Sequence, residues 1–143
     1  MREIKFRGIS EDNSEWVYGY YLSDIATKII PYAIYAKQKF HKVVPESIGQ
    51  FTGLHDKNGK EIYEGDILKC DGLRIVIQYS GCAFEGRYLG PQKDLWSPIR
   101  NNNYLQWVVI GNIHQNPELL KPWPWKKNYT SKTSMKFIAI HYP

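Results

Sequence analysis

The densest group of chemistry-bearing side chains in the chain is His55, Asp56, Glu61, Glu64 and Asp66. Carboxylates gathered around an imidazole could hold a divalent metal or work as an acid and base pair. The spacing matches no ligand pattern, and each residue has a plainer role in a turn. Asp56 bonds its own backbone, Glu61 and Glu64 face solvent, and Asp66 accepts a backbone hydrogen bond where a strand begins. His41, His55, His114 and His141 are scattered, and no Ser or Cys stands in a nucleophile-elbow context. Gly53 to Gly59 lacks the terminal Gly-Lys-Ser/Thr of a phosphate-binding loop, and no Gly-x-Gly-x-x-Gly follows a strand. We therefore expect no catalytic residue, no metal and no cofactor. Cys70 and Cys82 form no CxxC or Cys/His cluster and read as free thiols, small hydrophobes on neighbouring strands.

Two groups of aromatic residues suit recognition rather than catalysis. Trp16, Tyr18 and Tyr20 share one face of a strand by period two, which suits a core, an oligomer interface or a stacking platform. Lys121, Trp123, Trp125, Lys126 and Lys127 interleave rings and lysines, a composition that suits single-stranded nucleic acid, an acidic protein surface or a neighbouring subunit. The net charge of +5 is carried entirely by residues 121–143, which hold five lysines and no acid, so residues 1–120 are neutral. A basic partner-binding body is thus not indicated; a basic arm is.

The elements that must position these groups are short strands. In 143 residues, 43% hydrophobic content with 15% aromatic residues is ample for a core without disulfides. Ile4 to Arg7 alternates as a strand, Ser10 to Ser14 is a turn, and Trp16 to Leu22 completes a hairpin. Lys28 to Ala36 is β-branched and aromatic, with Pro31 pointing to an edge strand or a bulge. Pro45 to Ile48 opens a short helical turn. Asp56-Lys57-Asn58-Gly59 reverses the chain, and Gly53 and Gly65 flank it where a Cβ would clash or φ must be positive. Asp71-Gly72 joins Ile67–Cys70 to Leu73–Tyr79 as a hairpin. Gly81 to Leu89 is a third strand anchored by Phe84 and Tyr88. Trp96, Pro98 and the Asn101–Asn103 run lie in a loop before a strand over Tyr104–Ile110. Asn116-Pro117-Glu118 has the pattern of a capped helix start, and Lys136 to His141 could add one strand beyond it.

Three stretches resemble the YopX family of small proteins encoded by phages and prophages. The middle one carries Phe51, Thr52, Gly53, Leu54, Asp56, Gly59, Tyr63, Gly65 and Asp66 in an unbroken run from 51 to 67. Met1 to Arg7 is similar to the family's start, and Val109 to Leu120 to its usual end. The resemblance covers residues 1–120 and implies a mostly β fold and a phage setting, with no catalytic residues to carry over; residues 121–143 lie beyond it.

The fold expected is mainly β: an N-terminal β-meander packed on an SH3-like small barrel, with short helical turns only. Its parts are residues 1–60, residues 61–120 and a basic aromatic extension, 121–143. The barrel is a fold-level analogy drawn from Gly65-Asp66 at the head of a strand. The function expected is a non-enzymatic phage accessory role through protein contacts, as a homo-oligomer with a possible host or phage partner. The alternatives are nucleic-acid binding through the tail and, last, a metal-dependent enzyme around Glu61. No run reaches the roughly 20 apolar residues of a membrane span, and the N-terminus lacks a secretory pattern, so a cytoplasmic setting in a bacterial host is expected.

Overall fold

The computed structural model describes residues 3–22, 32–90, 95–98 and 106–121. Pro31, Asn101–Asn103, the start of the Tyr104–Ile110 stretch and Lys136–His141 lie outside them. The described residues form two antiparallel sheets and two single 3-10 turns, Pro45–Ser47 and Pro117–Leu120. Among them, no helix is long and apolar enough to cross a membrane.

The first sheet is a meander. Strands β1 (Phe6–Ile9), β2 (Trp16–Leu22), β3 (Ala33–Ala36) and β4 (Lys39–Lys42) follow one another in space, and β5 (Gly49–His55) and β6 (Glu61–Tyr63) extend the other side of β1. The chain after β4 folds back onto β1: Ser10 bridges Val43, and the Glu11 and Val44 amides donate to Lys42 and Ile9 carbonyls at 3.1 and 2.9 Å. This curl turns Ile34 and Val43 fully inward. Of the two alternatives raised by Pro31, the edge strand does not hold for Ala33–Ala36, because β3 lies between β2 and β4, while the bulge falls on Pro31 itself, outside the described residues. The strand that covers β3, Lys-Phe-His-Lys, is too polar to stand out by composition.

The β3–β4 connection has only two residues, Lys37 and Gln38, both at positive φ (48° and 61°). Such a turn matches the strand twist but favours Asn or Gly, since an L side chain in this region is strained. Gln38→Gly is expected to raise stability by roughly 0.5–1 kcal/mol, the relieved strain outweighing the added freedom of the unfolded chain. A thermal melt at or below that of the parent chain would contradict this.

The second sheet runs β10-β9-β8-β7-β11, from β7 (Asp66–Cys70), β8 (Leu73–Ser80), β9 (Ala83–Tyr88), β10 (Trp96–Pro98) and β11 (Val108–Asn112). The Asp71-Gly72 turn joins β7 to β8 with both φ positive, as expected. Phe84 packs across the strands on Tyr79 at 5.2 Å, and Tyr88, in cross-strand register with Ile75, also meets Trp107 beside β11 at 6.5 Å. Trp96–Pro98 is a strand rather than a loop; among the described residues it pairs with β9 alone, and such an edge position tolerates its proline. Cys70 is free and half-buried; Cys82 is free but exposed in the β8–β9 turn, not buried on a strand.

The core of this sheet is Leu68, Ile75, Ile77, Trp107 and Val109, joined by Ile62 from β6. Strand β6 thus bonds to the first sheet through its backbone and to the second through its side chain. Each fully buried aliphatic contributes about 1.5–3 kcal/mol, so this exchange is a strong reason for the two sheets to fold together.

Candidate functional site

The motif residues gather where the sheets meet. Gly65, at φ 83°, donates to Ile77 carbonyl at 2.8 Å and accepts from Ile113 at 2.9 Å, while Gly53 also takes a positive φ, 87°. Asp56 makes its expected turn: one carboxylate oxygen accepts from the Asn58 and Lys60 amides at 2.8 and 2.9 Å. The other oxygen accepts from Val109 at 3.0 Å, a tie across the sheets that local pattern does not reveal. Asp66 accepts from the Tyr63 amide at 2.8 Å, again as expected.

What the local pattern misses is the partner of Asp66. Arg7, on β1, reaches it at 2.6 Å, and both side chains are almost completely buried. The Arg7 guanidinium also donates to the Glu64 carbonyl at 3.2 Å and lies between the Trp16 and Tyr63 rings, 4.5 and 4.9 Å from their centroids. Burial pushes the Asp66 carboxyl up from its usual range, and the Arg7 charge and Tyr63 amide pull against that. His114 meets Trp16 at 6.1 Å, with burial and then Arg7 pushing its imidazole below the usual value.

Glu61 is not simply solvated. It holds Lys5 through both oxygens at 2.8 Å and accepts from the Tyr63 hydroxyl at 2.7 Å. Burial raises its carboxyl, but Lys5 and Tyr63 outweigh this and leave it below its usual range. Burial and Glu61 together push the Tyr63 phenol well above its ordinary value. Glu64 is half-buried and accepts from the Tyr79 amide at 3.3 Å, and His55 is exposed against Phe51 at 5.6 Å. The cluster read as a possible metal site is therefore divided among separate partners. Among the described residues, no group of three His, Cys, Asp or Glu side chains could hold a metal ion. Asn116 does not cap its turn; its side-chain oxygen accepts from Asn112 at 3.2 Å, so the helix start yields a single 3-10 turn.

Two surface features lie beside this junction. One is a cleft of about 290 Å³ between β2 and β11, walled by Trp16 and Tyr18, floored by Arg7 and Asp66, and rimmed by Lys60 and Gln115. The other is an aromatic face. Tyr20 pairs with Tyr35, and Tyr35 with Phe40, so the three share one side of β2-β3-β4. They are 67%, 38% and 52% exposed, and Tyr18 and Leu22 extend the row along β2. Of the three rings grouped by period two, Tyr18 and Tyr20 are thus surface residues, whereas Trp16 is tied to Gln115 at 2.8 Å. In the tail group, Lys121 is exposed and its carbonyl accepts from Arg74 at 2.7 Å; Trp123, Trp125, Lys126 and Lys127 lie outside the described residues.

A small two-sheet β protein pinned by a buried ion pair, with an open aromatic face, is the class these features define. The YopX protein family model matches residues 5–121, and the chain belongs to the YopX family. It is also similar to the crystal structure of protein EF1440 from Enterococcus faecalis, with 29% identity and a TM-score of 0.58 over 85% of this chain and 100% of that one. No curated protein matches the chain.

Proposed function

We propose that the chain is a non-enzymatic phage or prophage accessory protein that works through protein contacts and self-assembly, with a second copy covering the aromatic face. The observation that supports this is the exposed Tyr20, Tyr35 and Phe40 row, aligned by strand register. Tyr and Phe are the residues enriched in the buried centres of interfaces. Five side chains about half exposed, from residues that bury roughly 150–250 Å² when covered, offer about 500 Å² per copy. A pair would bury about 1,000 Å², close to the lower limit of about 1,200 Å² for a stable interface. The dimer should therefore be reversible and concentration-dependent. The SH3-like barrel reading of the second sheet is kept as part of the proposal, as a fold-level analogy that adds nothing to the functional argument.

Light scattering across a concentration series tests it. The full chain should pass from monomer towards dimer, and Tyr20→Ser with Phe40→Ser should remain monomeric with an unchanged far-ultraviolet spectrum. A monomer at every concentration, or a dimer indifferent to both substitutions, would refute the proposal.

A further inference from the structure

The cleft between β2 and β11 meets the aromatic row at Tyr18, which lines both, and its other free groups include several donors. Gln115 turns its amide oxygen to Trp16 Nε1 at 2.8 Å and Asn112 Nδ2 at 3.1 Å, which leaves its NH₂ for another acceptor. The Lys60 ammonium at the rim takes part in no ion pair among the described residues. Arg7 Nε is buried without a hydrogen-bond partner, so the polar deficit of the interior also falls here. Register slips between Val109 and Gly111, which takes Ile110, another lining residue, out of the pairing with β7. Bulges of this kind often sit beside binding sites.

Asp66 cancels the charge of Arg7, so Lys60 is the cation left to face a ligand in the cleft, although Asp56 and Asp66 both act on it electrostatically. Tyr18 meets Tyr63 edge-on at 5.6 Å and is 45% exposed, so a ring face remains for stacking. A flat group with an anionic, acceptor-rich end satisfies all of these at once. We propose that the cleft binds a nucleotide, its base against Tyr18 and its phosphate on Lys60 and Gln115. The volume of about 290 Å³ lies at the low end of small-molecule sites, roughly 300–1,000 Å³, and suits one nucleotide at a time. The same chemistry is offered by a free mononucleotide and by one residue of a single strand.

Titration calorimetry on the full chain, with AMP, inorganic phosphate and a short oligo-dA strand as probes, decides the matter. AMP should bind saturably and more tightly than phosphate alone. Lys60→Gln should weaken it about tenfold by removing a charge-assisted bond, and Tyr18→Ala about tenfold by removing a stacked ring. Both variants should keep the parent melting temperature closely enough to exclude unfolding. Oligo-dA binding far tighter than AMP and weakened by both substitutions would assign the site to a single strand, and equal binding to a free nucleotide; oligo-dA binding that neither substitution weakens would belong to the Lys121–Lys127 group and count against the cleft. Absence of AMP and oligo-dA binding, phosphate binding as tight as AMP, or binding unchanged in both variants would overturn it. Lys60 lies outside the aromatic row, so Lys60→Gln separates nucleotide binding from dimerisation, and light scattering of the same samples reads any effect of Tyr18→Ala on assembly.

Discussion

Arg7→Met is expected to lower the unfolding free energy by roughly 3–5 kcal/mol, the loss typical when one partner of a buried ion pair is removed. Arg7 and Asp66 are 2.6 Å apart, with 6% and 1% of their side-chain surfaces exposed. Without Arg7, the Asp66 carboxylate would keep the Tyr63 amide as its remaining bond, in a site where burial already disfavours its charge. The Trp16 and Tyr63 rings would also lose the cation held between them. The test is a cycle in urea. Asp66→Asn retains an oxygen for the Tyr63 amide and removes the stranded charge, so the double variant should be more stable than the sum of the two single losses implies. If Arg7→Met alone falls within about 1 kcal/mol of the parent, the pair does not hold the sheets together.

Asp56→Ala is expected to cost about 2–4 kcal/mol, because one carboxylate serves three backbone amides, and bonds to a charged acceptor are each worth roughly 1.5–3 kcal/mol while sharing one desolvation cost. Asp56→Asn should cost less, since one acceptor oxygen remains. Burial raises the Asp56 carboxyl, but the Val109, Lys60 and Asn58 amides prevail and hold it below its usual range. The folded chain then binds fewer protons at Asp56 and Glu61 than the unfolded one does. Their stabilisation is present above the ordinary carboxylate range near pH 4 and is lost as pH falls through it towards the lowered folded values. Asp66, shifted upwards, opposes this trend and reduces the net acid loss. Urea midpoints measured from about pH 6 to pH 3 should therefore fall less steeply for Asp56→Asn than for the parent. Parallel profiles would show that Asp56 does not carry the acid sensitivity.

Turn chemistry explains which elements could be read from residue types. Asp71-Gly72 and Lys37-Gln38 form the same kind of two-residue connection with both φ positive, yet only the first uses residues that prefer it. The second is held by the pairing of Tyr35 with Phe40 and by the return of Val43 to Ser10, the latter a contact invisible to a local window. Likewise Trp96–Pro98 has loop composition and becomes a strand only because β9 presents an edge to it.

The candidate site divides along the same line. Residue types and spacing alone determined the Asp56 turn, the Asp66 bond to a strand start, the positive-φ glycines and the shared face of Tyr18 and Tyr20, since each depends on backbone preferences or period over a few residues. The tertiary structure decided that Arg7 meets Asp66, that Val109 completes Asp56, that Glu61 holds Lys5, and that Tyr20, Tyr35 and Phe40 form one row. Apart from Tyr35 and Phe40, those contacts join residues distant in the chain, and a charge or ring carries no local mark of the partner that folding will bring to it.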